Sequence, residues 1–357
     1  MLKPFLGFWE KIPRPLLALS PMDGVTDFAC RAMTAKYGRP DVLFTEFTTA
    51  EGLFYAPERI LRDFEYSEIE RPIVAQIYGH RPDDFYRATH VVCELGFDGV
   101  DINMGCPSKS VVQKNCGAKL ITVPTLALDI IRATRQAVED WAKGQALEDL
   151  KLSARVIKTV QRMNQARTGT ESPVVRRLIP YSVKTRTGFD SIVIEKWIEI
   201  LLSERPAVIS IHGRTLKQMY RGVAAWDSIA SAVKVAKGSG TLVLGNGDIA
   251  SLEQAALRIR QSGVDGVLIG RSAIGNPWIF RGKESWKTFV IGKEERVSVA
   301  LEHARYFQEV RGERDFRVVR KHLIGYLSSF PGAASVRSSA LQTRNLDELN
   351  RLLRSTP

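Results

Sequence analysis

The run Leu242-Val243-Leu244-Gly245-Asn246-Gly247-Asp248 is followed by Leu252–Gln261 and then by Gly266-Val267-Leu268-Ile269-Gly270-Arg271. The outer pieces are short, aliphatic and closed by glycine and polar residues, which is how strands end. The middle piece carries its apolar residues at helical spacing. Strand, helix, strand is the pattern of a parallel βαβ unit.

Outward from this unit the same alternation repeats. β-rich runs precede it at Leu16–Ser20, Val42–Glu46, Ile73–Tyr78, Gly99–Asn103, Tyr181–Lys184 and Val208–His212. Helical periodicity lies between them, as at Asp83–Leu95, Pro124–Trp141 and Ser191–Ser203. Eight such units in roughly 275 residues predict an α/β fold, a (β/α)8 TIM barrel. A doubly wound open sheet is the alternative, but no Gly-x-Gly-x-x-Gly follows the first strand.

After Phe280 the strand pattern stops, and Glu294–Gly312, Arg314–Ser329 and Asn345–Arg354 predict helices. The chain thus divides into a barrel at 1–284 and a small C-terminal helical domain at 285–357. Between the fourth and fifth strands the interval stretches to about 80 residues, because a segment at about 143–178 is added. That segment follows the fourth helix and is expected to emerge on the N-terminal face of the barrel. Read as a helix, it lines Lys151, Arg155, Lys158 and Arg162 along one stripe, with Val156, Val160 and Met163 free to pack elsewhere.

The 357 residues are 44% hydrophobic and 25% charged, ordinary for a globular protein, yet the net charge is +12. Residues 143–179 hold 8 basic against 3 acidic side chains, and 285–357 hold 13 against 8, so these two regions carry 10 of the 12 excess charges. Charge gathered outside a nearly neutral barrel points to a polyanionic partner. No apolar run of about 18 residues exists, which argues against a membrane partner and against export. Cys30, Cys93, Cys106 and Cys116 form no CxxC pair and no zinc-finger spacing. They predict free thiols in a reducing cytoplasm and no metal.

Barrel active sites lie where the strands end, with a phosphate site common after strands seven and eight. Gly245-Asn246-Gly247-Asp248 and Gly270-Arg271-Ser272 occupy those two corners. Glycines let backbone N–H groups approach a phosphate, and Arg271 adds a charge-assisted bond. Past the fourth strand, Asp101-Ile102-Asn103-Met104-Gly105-Cys106-Pro107-Ser108 sets a thiol in the mouth. A thiol of ordinary pKa, about 8.5, is protonated near neutrality and can act as a general acid. Cys116, in the same connection, reads as structural. Lys184, Arg186 and His212 end the fifth and sixth strands, where a lysine can stabilise the anionic edge of a reduced flavin. Gln76, in the third strand, offers both donor and acceptor.

These motifs resemble the tRNA-dihydrouridine synthases. The matching stretches are Ser20–Asp27, Asp101–Pro107, Val183–Gly188, Ile211–Thr215 with Gln218–Tyr220, Asn246–Asp248, Ile269–Arg271 and Arg320-Lys321-His322. The resemblance implies an FMN-bound barrel and a C-terminal helical domain that grips tRNA. It assigns Pro21, Met22, Asp23, Gln76, Lys184, His212, Asn246, Gly247, Asp248, Gly270 and Arg271 to the flavin. Asn103 and Arg186 would face the uracil, Arg320 and Lys321 would serve the RNA, and Cys106 would protonate the ring. NADPH would reduce the flavin, which passes hydride to C6 while the thiol protonates C5. The base must leave its stack to get there. No obligate protein partner is implied. The segment at 143–178 departs from the pattern. An FMN-dependent dehydrogenase of free pyrimidines, or a tRNA-binding relative without catalysis, are the rival readings.

Overall fold

The computed structural model describes residues 3–171 and 175–355. Residues 1–2, 172–174 and 356–357, and the side chain of Arg314, lie outside it, including a short part of the segment at 143–178. Eight parallel strands are present: β1 (Leu16–Leu19), β2 (Leu43–Thr49), β3 (Ile73–Tyr78), β4 (Gly99–Met104), β5 (Tyr181–Arg186), β6 (Val208–His212), β7 (Leu242–Asn246) and β8 (Gly266–Ile269). Each expected run is one of them, shifted at its ends by a residue or a few. Their order is β1-β8-β7-β6-β5-β4-β3-β2. The two ends of that order meet through a parallel bridge between Ala18 and Val42, so the sheet curls round to a barrel.

Helices cover the strands: α1 (Phe28–Tyr37), α2 (Pro82–Glu94), α3 (Pro124–Ala142), α4 (Ala154–Thr168), α5 (Ile194–Leu202), α6 (Trp226–Ala236) and α7 (Leu252–Ser262). Their starts follow from local chemistry. Proline opens α2 and α3, where a missing N–H costs nothing. The side chains of Asp27 and Ser251 cap α1 and α7 by accepting from Cys30 N and Gln254 N.

Side chains two residues apart along a strand share a face. On the inner face the lower layers are apolar: Leu16, Ala18, Phe44, Val74, Val208, Leu242 and Leu244 form one cluster with Trp9, which plugs the N-terminal end. Two or four residues further along, the same faces become polar, at Gln76, Lys184, His212 and Asn246. A dry lower half thus supports a polar mouth.

The C-terminal helices are α8 (Lys293–Arg311), α9 (Arg320–Tyr326), α10 (Ala333–Ala340) and α11 (Leu346–Arg354). The helix expected over Arg314–Ser329 is instead a 3-10 turn at Glu313–Val318 followed by the shorter α9. Pro331 restricts the residue before it, and α9 has ended by then. The Ala- and Ser-rich α10 shows no clear apolar stripe in the sequence and was not expected. These helices share one core with α1, where Phe28, Ala32 and Met33 meet Val299, Ala304, Phe307 and Leu323. Backbones touch at the barrel seam: a Cβ on Gly325 would lie 1.9 Å from the Ile274 carbonyl oxygen.

Helix α4 forms in the added segment with Val156 and Val160 buried and Met163 partly so, and Lys151, Arg155, Lys158 and Arg162 exposed. Arg167 pairs with Glu68 and Arg177 with Asp98, just before β3 and β4, which places that end by the N-terminal strand ends as expected. The other end lies along the flank, where Arg155 pairs with Glu58. Among the described residues, no helix is long and apolar enough to cross a membrane.

Candidate active site

The C-terminal strand ends surround a cavity of about 940 Å³. Its floor is a chain of hydrogen bonds between neighbouring strands. Ser182 Oγ donates to Asp101 Oδ1 at 2.5 Å, Gln76 Nε2 donates to Asp101 Oδ2 at 2.6 Å, and Asn103 Nδ2 donates to Gln76 Oε1 at 2.9 Å. Asn103 Oδ1 then accepts from the backbone of Gly105 and Cys106, at 3.0 and 2.9 Å. Every amide in the chain is oriented by its neighbour, so the floor is rigid. Burial pushes the Asp101 carboxyl up to about 6, while its hydrogen bonds and Lys184 pull it down.

The Asn103 bonds hold the turn that carries Cys106. The thiol is 8% exposed and lines the cavity beside Pro107 and Ser108. Burial pushes it above its ordinary value, more than the Ser108 backbone, Arg186 and Lys184 lower it. It is therefore protonated at neutral pH, as a proton donor must be. Cys116 is buried 2% exposed, faces Lys114 O and His80, and is pushed up to about 11 by burial. It does not line the cavity.

Beside the thiol, cations converge, for Lys184 pairs with Asn103 on the neighbouring strand. Burial, and then the charge of Arg186, lower Lys184 to about 8, against the pull of Asp101 and Cys106. Burial and the charges of Arg186, Lys184, Arg214 and Arg271 drive His212 down to about 2, so its ring is neutral. Arg186 Nε donates to Gly105 O at 2.6 Å and its Nη1 to Thr215 O and Met219 O at 3.1 Å, bracing the two loops on either side. Such a surplus of desolvated positive charge favours an anion.

At the β7 and β8 corners, Asp248 accepts from Arg214 at 2.6 Å and from Arg271 at 2.9 Å, and Ala224 N donates to the same carboxylate. Asp248 thus aims two guanidinium groups at the cavity; it is a positioning group there. Gly247 has φ +132°, and a Cβ on it would lie 2.6 Å from Ala224 Cβ, so no other residue fits the corner.

The cavity gathers Pro21, Met22, Asp23, Gln76, Asn103, Cys106, Lys184, Arg186, His212, Asn246, Gly247, Asp248, Gly270 and Arg271 from loops and strand ends throughout the barrel. Arg320 and Lys321 do not line it. Arg320 Nε donates to Thr343 O at 3.0 Å, whereas the charge of Lys321 reaches Asp23 and Glu46 at the rim. Sequence reasoning missed Phe47, Tyr220 and Gln254 as lining residues. Phe47 was hidden by a register shift between Phe44 and Phe47 that carries β2 past its expected end. Tyr220 lay within a recognised stretch, the signal that could have found it.

A family model described as dihydrouridine synthase (Dus) matches residues 17–143 and 150–356. The chain belongs to the dihydrouridine synthase family. The match leaves out only 144–149 of the segment at 143–178 and takes in the rest, so that segment is no departure from the family as the sequence reading had it. Among curated relatives, the probable tRNA-dihydrouridine synthase 2 of Bacillus subtilis is 31% identical over 97% of this chain and 95% of its own. The probable tRNA-dihydrouridine synthase of Staphylococcus aureus strain COL is 32% identical over 97% and 94%. Among solved structures, DHODH from Eimeria tenella in complex with ferulenol aligns at a TM-score of 0.50 and 13% identity, over 81% of this chain and 82% of that one. That likeness concerns the barrel fold alone.

Proposed function

We propose that this chain is an FMN-dependent tRNA-dihydrouridine synthase that reduces the C5=C6 bond of uridines, with NADPH as reductant and Cys106 as proton donor. The observation that carries the reading is the 8% exposed Cys106 thiol, its turn fixed by Asn103 at the end of β4, lining the same cavity as Lys184 of the neighbouring β5. Relatives named as tRNA-dihydrouridine synthases over nearly the whole chain support the substrate.

The residues present fit a flavin mononucleotide. A Cβ on Gly270 would stand 3.3 Å from Met22 Sδ, narrowing a cradle that glycine leaves open. Pro21, Met22, Asp23, Gln76, Lys184 and His212 would hold the ring, and Asn246, Gly247, Asp248, Gly270 and Arg271 the phosphate end. When bound, the flavin would supply the hydride for C6. Lys184 supplies positive charge to the anionic ring edge, and neutral His212 offers a hydrogen bond without adding to the repulsion. Asn103 holds the Cys106 turn still, and the thiol gives its proton to C5. Arg186, bonded to Gly105 beside the thiol, would face the uracil.

RNA would reach the mouth along the rim that Lys321 shares with Asp23, with Arg320 and the exposed Arg317 on the adjoining turn and helix. We place the RNA-gripping role in the helical domain at 285–357. Purified protein is expected to be yellow and to release FMN, not FAD, in acid. A colourless protein that takes up no added FMN would overturn the flavin reading.

A further inference from the structure

The seam between the barrel and the C-terminal helices holds buried side chains whose hydrogen-bonding capacity is unspent. Asp27 Oδ1 accepts from Cys30 N at 2.9 Å, but its Oδ2 has no partner. His303 on α8 and His322 on α9 are both 0% exposed, with ring centroids 4.6 Å apart. His303 Nδ1 lies 3.0 Å from the Tyr326 hydroxyl, and its Nε2 has no partner. Neither ring nitrogen of His322 makes a hydrogen bond, although the Val25 carbonyl stands beside the ring. A buried polar atom left unpaired is destabilising, and several meet here. Nearby Arg31 offers no relief, because its guanidinium is committed to Glu70, Thr26 O and Glu65 O.

One ligand atom from each of Asp27, His303 and His322 lies within 4.8 Å of the other two. Ligands bonded at about 2.0–2.1 Å around one tetrahedral ion sit roughly 3.4 Å apart, so the three atoms draw in by side-chain rotation when the ion binds. Metal-bound histidines also give their second nitrogen to a nearby oxygen, which is the place Tyr326 takes for His303 and the Val25 carbonyl for His322.

We propose that Asp27, His303 and His322 form a binding site for one divalent transition-metal ion, zinc being the best match to two imidazoles and a carboxylate. Both histidines are fully buried and none of the three ligands lines the cavity, so the ion is structural. It ties α8 and α9 to the first residue before α1, and so to the Pro21–Val25 loop that forms one wall of the mouth. The expectation of no metal rested on the lack of a sequence motif, and these ligands come from α8, α9 and the cap of α1, far apart in the chain. The inference is independent of the redox reading.

The test uses the full-length protein, purified after growth in zinc-supplemented medium. Elemental analysis is expected to find about one zinc per chain, and chelation should lower Tm, with recovery on adding Zn2+ alone. X-ray absorption should show nitrogen and oxygen neighbours without sulfur. His303→Ala and His322→Gln, folded by circular dichroism, should each lose the ion. Protein that is free of metal and whose Tm does not respond to Zn2+ would overturn the proposal, leaving buried water as the missing partner. So would zinc that persists in both variants, or a sulfur ligand. Should either variant fail to fold, the chelation and absorption results on the unmutated protein decide.

Discussion

The mouth of the barrel and the seam beside α1 both bury polar side chains, but they treat them in opposite ways. At the mouth, Ser182, Asp101, Gln76 and Asn103 satisfy one another in an unbroken chain. At the seam, Asp27, His303 and His322 converge with atoms left unpaired. A satisfied network holds its shape alone and can be set in advance for a ligand that comes and goes. An unsatisfied cluster is complete only when something resident fills it. The contrast separates a site built for turnover from one built for permanence.

The largest expected effect breaks the mouth at its reactive end. Cys106→Ala should retain flavin and NADPH oxidation while dihydrouridine formation falls about 10²–10⁴-fold, the usual worth of a positioned proton donor. Cys116→Ser, measured alongside, should be nearly silent, because that thiol faces away from the cavity. Wild-type turnover by Cys106→Ala would remove the thiol from the reaction.

Next comes the charge on Lys184. Lys184, lowered to about 8 by burial and then by Arg186, loses its proton in the free protein as pH rises through that value. FMN binding that needs the ammonium should therefore weaken above pH 8, by up to about tenfold per unit. Lys184→Arg should flatten that dependence, since a guanidinium stays charged. Burial shifts the Cys106 thiol the other way, above its ordinary value. A titration of FMN affinity against pH that shows no change between 7 and 9.5 would contradict the Lys184 assignment.

Gly247→Ala tests the rigidity of the phosphate corner. The strain at φ +132° and the contact with Ala224 should cost about 1–3 kcal/mol, read as a lower Tm, together with weaker FMN retention. An unchanged Tm would mean that the corner yields easily.

Much of the mouth was legible because its signals are local. A strand such as Val208–His212 announces both its period and its end, and barrel geometry then gathers the ends of distant strands. Phe47 escaped because a register shift interrupts the pattern that would have carried the strand to it. His303 and His322 escaped for a deeper reason: each reads as an ordinary helical residue, and only packing brings them to Asp27. The surplus charge was legible in amount but not in availability. Arg155, Arg167, Arg176 and Arg177 in the added segment meet Glu58, Glu68, Glu94 and Asp98 of the barrel.

That last finding sets the smallest expected effect. Replacing Lys151, Arg155, Lys158 and Arg162 with Gln should leave flavin binding unchanged and weaken tRNA binding only modestly, with a slightly shallower salt dependence. Exposed ion pairs such as Arg155 with Glu58 add little stability, so the variant should fold. Replacing Arg317 and Lys321 at the mouth should weaken tRNA binding more. The reverse ranking would move the RNA surface from the mouth to the flank.

The most direct test of the proposed reaction is mass analysis of tRNA from a strain deleted for this gene, after incubation with the purified protein and NADPH. The account predicts that specific uridines gain two hydrogens with the wild-type protein and stay unreduced with Cys106→Ala. Flavin-loaded protein that oxidises NADPH yet leaves every uridine in that tRNA unreduced would contradict it.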